Sequence, residues 1–244
     1  MSATKVLIGV FDSGIGGKLI AQKIHRTLPQ ATVIFKSDSD FFPYGDKPQS
    51  FILRRSIAMT QKLIKESCQL IVVACNAATT NTIKSLRQKF PQLTFVGIEP
   101  PIKPIVALTH TGKVAVMGTP ATINSHRYQV LTEKFAGQTK IYDIACPGLA
   151  EKIEAIIRQR HPLRYYQVSK SEFNFQNQLA VILDNCIAAG VNSVGLACTH
   201  YPYLLKQMKA YYPHVTFYDP AAAVVKQVKK LALSPSGVII ERAS

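Results

Sequence analysis

Two cysteines sit in matching contexts. Leu70-Ile71-Val72-Val73-Ala74-Cys75-Asn76 and Ser193-Val194-Gly195-Leu196-Ala197-Cys198-Thr199 each read as an apolar strand closed by alanine, cysteine and a small polar residue, and each runs on into a segment with helical pattern. A thiol between the C-terminal end of a parallel strand and the N-terminus of the next helix feels the positive end of the helix dipole and nearby backbone N–H groups. That placement predicts a lowered pKa and a thiolate accessible near neutrality. One such thiol suggests a nucleophile. Two at equivalent positions suggest a pair facing each other across a cleft, suited to taking a proton from one face of a carbon and returning it to the other. The competing reading makes both thiols core filler, because free cysteine is among the most buried residue types.

Groups able to tune those thiols lie nearby. His200 follows Cys198 by two residues in Cys198-Thr199-His200-Tyr201-Pro202 and suits a proton partner or an orienting donor; the alternative is a helix-start histidine satisfied by backbone. Asp12 ends the first strand in Phe11-Asp12-Ser13-Gly14-Ile15-Gly16-Gly17, where an aspartate is also an ordinary helix cap. The glycine spacing fits neither the dinucleotide nor the Walker pattern, which leaves a turn whose N–H groups can meet a carboxylate. Thr119, in Met117-Gly118-Thr119-Pro120-Ala121-Thr122, marks another strand-to-helix junction able to hold a small carboxylate. Pro43-Tyr44-Gly45 is a turn by local chemistry. Glu154, beyond the strand-breaking Cys146-Pro147, reads by itself as a solvated residue on a helix face.

The elements that must hold these groups alternate from end to end. Strands are predicted over Lys5–Phe11, Thr32–Lys36, Leu70–Ala74, Thr94–Ile98, Val114–Gly118, Lys140–Ile144, Ser193–Ala197 and Val215–Tyr218, most of them apolar enough to be buried on both faces. Helical patterns include Pro48–Glu66, Ala77–Lys89, Asn124–Phe135 and Ser171–Ala189. The alternation predicts an α/β fold of right-handed βαβ units with mainly parallel, doubly wound sheets. In Glu99-Pro100-Pro101-Ile102-Lys103-Pro104, three prolines in five residues fit neither strand nor helix interior, so the chain is expected to cross there into a second lobe. A return crossing is expected around Tyr211–His214. The first lobe is then residues 1–97 with 211–244, and the second is 98–210.

Composition narrows the class. The chain has 244 residues, 47% hydrophobic and 18% charged, which excludes disordered, collagen-like and mini-protein readings and leaves room for two cores. No run approaches the ~20 apolar residues of a membrane span. The apolar N-terminal run stops at Asp12, too short for a signal peptide, so the expected compartment is the cytosol. Cys68, Cys75, Cys146, Cys186 and Cys198 form no CxxC pair, which excludes zinc-ribbon and thioredoxin-type motifs and predicts reduced thiols. No motif for pyridoxal phosphate, nicotinamide or a metal is present, so no cofactor is expected. The 29 Lys and Arg against 14 Asp and Glu give +15, which raises the question of a nucleic-acid partner. The sequence has no helix-turn-helix, ribonucleoprotein or zinc motif and no basic–aromatic interleaving to support one.

Taken in order, Ile8-Gly9-Val10-Phe11-Asp12-Ser13-Gly14-Ile15-Gly16-Gly17, Phe42-Pro43-Tyr44-Gly45, Ala74-Cys75-Asn76, Ala145-Cys146-Pro147 and Cys198-Thr199-His200-Tyr201-Pro202 resemble the glutamate racemase family, within the cofactor-independent aspartate/glutamate racemase superfamily. The resemblance covers essentially the whole chain. It implies two similar α/β lobes with the active site between them. It also implies that Cys75 and Cys198 are the acid/base thiols, one for each enantiomer, with Asp12 assisting Cys75 and with Glu154 and His200 assisting Cys198. The implied substrate-binding set is Asp12, Ser13, Tyr44, Gly45, Asn76, Ala77, Thr119, Thr199 and His200, holding the ammonium and carboxylate groups of L- or D-glutamate. The implied role is D-glutamate supply for peptidoglycan in a bacterial cytosol, by a monomer or homodimer with no membrane or nucleic-acid partner. The alternatives are an aspartate or other amino-acid racemase of the same superfamily, and a basic nucleic-acid- or protein-binding chain on the same scaffold. Two departures stand out. Cys75-Asn76-Ala77-Ala78-Thr79-Thr80 stands where the family has Cys-Asn-Thr-Ala-Thr, which leaves the Ala77 N–H or the Thr79 hydroxyl to replace a lost hydroxyl, and Asp219-Pro220-Ala221 replaces Asp-Ser-Gly.

Overall fold

The computed structural model describes residues 6–159, 167–174 and 180–234. The first half alternates as predicted: β1 (Leu7–Asp12), α1 (Lys18–Thr27), β2 (Thr32–Ser37), α2 (Gln49–Lys65), β3 (Leu70–Val73), α3 (Asn76–Lys89) and β4 (Thr94–Gly97). Lys5, where the first strand was expected to begin, lies outside the described residues. The strands pair in the order β2-β1-β3-β4, all parallel. Burial explains the order. The four residues of β3 are completely buried and β1 is nearly so, while every residue of the edge strand β2 is only half-buried. Helices α1 and α10 (Ala221–Ala232) cover one face through Ile20, Ile24, Val224 and Val228, and α2 and α3 cover the other through Ile52, Leu63, Ile83 and Leu86.

The second half repeats the plan. After α4 (Ile102–Leu108) come β5 (Lys113–Gly118), α5 (Pro120–Ile123), α6 (His126–Phe135), β6 (Lys140–Ala145), α7 (Leu149–Gln159), α8 (Val181–Ala188), β7 (Ser193–Ala197), α9 (Leu205–Tyr211) and β8 (Thr216–Tyr218). The sheet order is β6-β5-β7-β8, again all parallel. Position for position this is the order of the first sheet, and it makes β3 and β7 equivalent. In both sheets the chain leaves the first strand to one side and returns on the other. The switch points lie between β1 and β3 and between β5 and β7, where a crevice opens at the carboxyl ends of the strands.

Four details differ from the expectations. β8 pairs with β7 through Ser193↔Thr216, Val194↔Phe217 and Gly195↔Tyr218, so the return crossing falls at Asp219-Pro220 and not at 211–214. Pro104 sits inside α4, tolerated because it lies in the first turn, where the N–H it lacks has no intrahelical partner. The helix expected over 124–135 begins two residues later, at His126, and a short extra helix, α5, precedes it: the Ser125 hydroxyl donates to the Thr122 carbonyl (2.7 Å) and accepts from the Tyr128 N–H (3.2 Å), ending α5 and capping α6. Of the helix expected over 171–189 the described residues show α8 and, at its expected start, a turn shaped by the Ser169 N–H and hydroxyl, which both bond Glu172; residues 175–179 of that span lie outside the described residues. Among the described residues no helix is long and apolar enough to cross a membrane.

The Ser125 cap sets one measurable stability. Ser125→Ala is expected to destabilise the chain by about 1 kcal/mol. Urea unfolding should show a lowered midpoint at unchanged slope; an unchanged midpoint would mean that the α5–α6 break is held by packing alone.

Candidate active site

Both switch points open into one cavity of about 120 Å³ between the lobes. This is well below the roughly 300–1,000 Å³ of pockets for drug-sized ligands, so the occupant is a small molecule. Cys75 and Cys198 line it from opposite sides, each one or two residues beyond β3 or β7, with 6% and 7% of their surface exposed. Ser13, Tyr44, Gly45, Asn76, Ala77, Thr119, Thr199 and His200 complete the expected part of the wall. Asp12 and Glu154 stand behind it, completely buried or nearly so. Every residue expected from the sequence is therefore in the wall or directly behind it.

Cys75 caps α3, its sulfur accepting from the Ala78 N–H at 3.5 Å. The Ser13 hydroxyl lies 3.5 Å from that sulfur and 3.5 Å from Asp12 Oδ1. The expected lowering of this thiol's pKa does not occur. Burial, reinforced by the charge of Asp12, pushes the Cys75 thiol well above its ordinary range, and the N–H of Ala78 and hydroxyl of Ser13 only partly offset it. Desolvation of a buried anion outweighs the end of a helix dipole. Cys198 departs from expectation in another way, since a single 3₁₀ turn, Tyr201–Leu204, follows it before α9. A side chain stands beside the sulfur instead. His200 Nδ1 lies 3.7 Å from Cys198 Sγ, and its Nε2 lies 2.6 Å from Glu154 Oε2.

Glu154 is not the solvated residue its helix position suggests. Only 2% of it is exposed, and it takes the Ile15 N–H (3.0 and 3.2 Å) and Arg158 (2.9 Å) as well as His200. Burial opposes the charge of Glu154, but these hydrogen bonds outweigh it and hold the carboxyl below its usual range. Burial likewise opposes a charge on His200, yet its bonds to Cys198 and Glu154 raise the imidazole to about 10. The pair is a carboxylate and an imidazolium, with the second N–H of the ring aimed at sulfur. Asp12 accepts from the N–H groups of Ser13 (2.7 Å) and Gly17 (2.5 Å) and from the Thr199 hydroxyl (2.9 Å). Burial pushes its pKa up against the pull of His200, Thr199 and Gly17, while the donor set suits the ionised carboxylate. Asp12 is not a helix cap, since Gly17 holds that position before α1; it orders the glycine turn from within the site.

The glycine turn does meet carboxylates, but they are the chain's own, Asp12 and Glu154. Its glycines answer a need for space. A Cβ on Gly14 would stand 2.8 Å from Glu154 Oε2, and one on Gly16 would stand 2.7 Å from Thr199 Oγ1. Neither position admits a side chain while the lobes are this close. Asn76 is the converse case: it is buried, and neither its Oδ1 nor its Nδ2 has a protein partner, so the amide is left for the cavity's occupant. At the departure from the family pattern, the Thr79 hydroxyl is committed to the Val73 carbonyl (3.0 Å), which removes it as a substitute for the missing hydroxyl at Ala77. Sequence reasoning missed the structural parts played by Phe42, whose ring packs 5.4 Å from that of His200, and by the Ile15 N–H. A backbone donor leaves no trace in residue type.

A two-lobed, doubly wound α/β protein with a buried thiol at each switch point is the architecture of an amino-acid racemase. The family described as Asp/Glu/Hydantoin racemase matches residues 17–228, and the chain belongs to it. It is similar to the glutamate racemase of Herpetosiphon aurantiacus (37% identity over 225 residues, 92% of this chain and 84% of that one) and to that of Ectopseudomonas mendocina (34% over 232 residues, 95% and 84%). Among solved structures it resembles Escherichia coli glutamate racemase in complex with L-glutamate and the activator UDP-MurNAc-Ala (TM-score 0.79, 30% identity, 92% of this chain and 81% of that one). It also resembles the RacE1 isoform from Bacillus anthracis (TM-score 0.80, 26%, 98% and 86%).

The Glu154–His200 pair predicts a pH dependence. Because the folded pKa of His200, about 10, lies above its ordinary 6.5, the stability from its charge is complete below about pH 6.5 and is lost as pH rises toward 10. Glu154→Gln removes the counter-charge. The difference in unfolding free energy between the parent chain and this variant should therefore shrink between those two pH values; a constant difference would contradict the assignment.

Proposed function

We propose that the chain interconverts L- and D-glutamate by a two-thiol, cofactor-independent proton transfer. The observation that carries this reading is the pair of thiols at equivalent strand ends facing one small cavity. In one direction a thiolate removes the α-proton, the electron pair remains as a carbanion conjugated with the α-carboxylate, and the opposite thiol protonates the other face. The thiolate and thiol have then exchanged places, ready for the reverse direction. The α-proton is only weakly acidic, so the carbanion must be met by fixed donors in a site without bulk water.

In this reading burial and Asp12 favour the proton-bearing form of Cys75, which Ser13 orients. His200 supplies the counter-charge and an N–H for Cys198 whenever that sulfur is negative, and Glu154 holds His200 in its charged form. The Asn76 amide, the Thr119 hydroxyl, the Ala77 N–H and the Tyr44-Gly45 turn receive the substrate's carboxylates, while Asp12, behind the wall and bonded to the Thr199 hydroxyl there, supplies the negative charge that its ammonium approaches. The wall contains no Lys or Arg among the described residues, so substrate charge is met by hydrogen-bond donors and by His200. Glutamate, with four carboxylate oxygens, uses such a donor-rich wall fully. With both thiols nearly inaccessible, the lobes must part for substrate to enter and close again before chemistry. The physiological role inferred is D-glutamate supply for peptidoglycan in the bacterial cytosol.

Incubated in D₂O, either enantiomer should acquire α-deuterium as it racemises. Cys75→Ser and Cys198→Ser should each lose at least about a hundredfold in racemisation. Full activity in either variant would overturn the two-thiol assignment, and turnover of aspartate in preference to glutamate would reassign the substrate.

A further inference from the structure

Resting on the racemase reading, we propose that Asp38 and Arg55 are positioning residues: a half-buried ion pair outside the cavity holds the Tyr44-Gly45 turn in the shape that both walls the site and latches the second lobe. Neither residue lines the cavity. Asp38 follows the edge strand β2, is 3% exposed, and gives its backbone N–H to the Asp12 carbonyl (3.0 Å). Arg55 grips both of its oxygens from α2, Nε to Oδ2 at 2.8 Å and Nη2 to Oδ1 at 2.7 Å. The Tyr44 hydroxyl donates to Oδ2 at 2.5 Å, and the guanidinium carbon lies over the Phe41 ring, 3.4 Å from its centre. One planar cation thereby fixes the turn at two points, Phe41 by stacking and Tyr44 through the shared carboxylate.

An ion pair with one buried partner is weak evidence for stability, because desolvating the buried charge offsets much of the attraction. What it supplies is geometry, and the geometry is used at the next residue. The Gly45 carbonyl accepts the Ala121 N–H from the second lobe at 2.7 Å, and a Cβ on Gly45 would stand 2.9 Å from Thr119. The Ala121 carbonyl is taken by Asn81 Nδ2 of α3 at 2.9 Å. The peptide groups flanking Ala121 are thus held from both sides by the first lobe. The Asn81 side of this latch is fixed by its helix, whereas the Gly45 side sits on a turn that is only as well placed as Asp38 and Arg55 make it.

Two conservative variants test the proposal. Arg55→Lys keeps the charge but loses the fork and the stacking plane, and Asp38→Asn keeps the shape and an acceptor for Tyr44 but loses the charge. Each is compared with the parent chain by thermal unfolding, by KM and kcat for both glutamate enantiomers, and by the rate at which iodoacetamide alkylates Cys75, read by mass spectrometry. In folded variants KM should rise about tenfold for both enantiomers with kcat changed less than about threefold, and Cys75 should be alkylated about tenfold faster, since a loosened wall uncovers it. A lowered unfolding temperature with unchanged KM and unchanged alkylation would show a purely structural pair and overturn the proposal. If the parent chain fails to racemise glutamate while the variants still expose Cys75, the racemase reading falls and the positioning role stands.

Discussion

Each lobe completes the hydrogen bonding of a carboxylate buried in or beside the other. Asp12 belongs to the first lobe and takes the Thr199 hydroxyl of the second; Glu154 belongs to the second and takes the Ile15 N–H of the first. Parting the lobes strips a donor from each buried anion, a loss of about 1–3 kcal/mol apiece unless water enters to replace it. Closure and dryness are therefore one event. The glycine turn is shaped by the same constraint, since any side chain at Gly14 or Gly16 would hold the lobes apart.

The rest of the architecture brings those two anions and two thiols to one place. A sheet of order 2-1-3-4 has its crevice between the first and third strands, and using it twice points two crevices at each other. The internal echo of strand, alanine, cysteine and small polar residue was readable because both features are local: an apolar run buried on two faces, and a residue type at a fixed offset from it. For the same reason β3, β7 and their thiols were found, while the stretch of wall from Gly148 to Glu151 was not. What could not be read is what depends on distant partners. Glu154 lies between the inward-facing Ile153 and Ile157, and its role is decided by His200, 46 residues away. The state of Cys75 turns on its burial and on the charge of Asp12, 63 residues away, which a strand–helix junction taken alone does not show. The return crossing was misplaced because β8 is three residues long and nothing within it says which sheet it joins.

The charge of +15 has a location. Helices α1, α2, α3 and α10 of the first lobe carry Lys and Arg and no Asp or Glu, and the residues concerned lie largely on exposed faces. The cavity wall, by contrast, has none among the described residues. The excess charge is thus a property of the surface. Its field favours approach of a substrate with net charge −1, an attraction screened beyond about 8 Å at physiological salt.

The central claim is that two different sulfurs work on opposite faces of one carbon. A single racemisation progress curve in D₂O tests it most directly. Starting from pure protiated L- or D-glutamate and following optical activity, the signal should pass through zero, overshoot, and return, because the product enantiomer gains solvent deuterium as it forms and then reacts back more slowly than the remaining protiated substrate. A monotonic decay to zero, with the α-proton carried from one enantiomer to the other, would mean that one base serves both faces and would contradict the account.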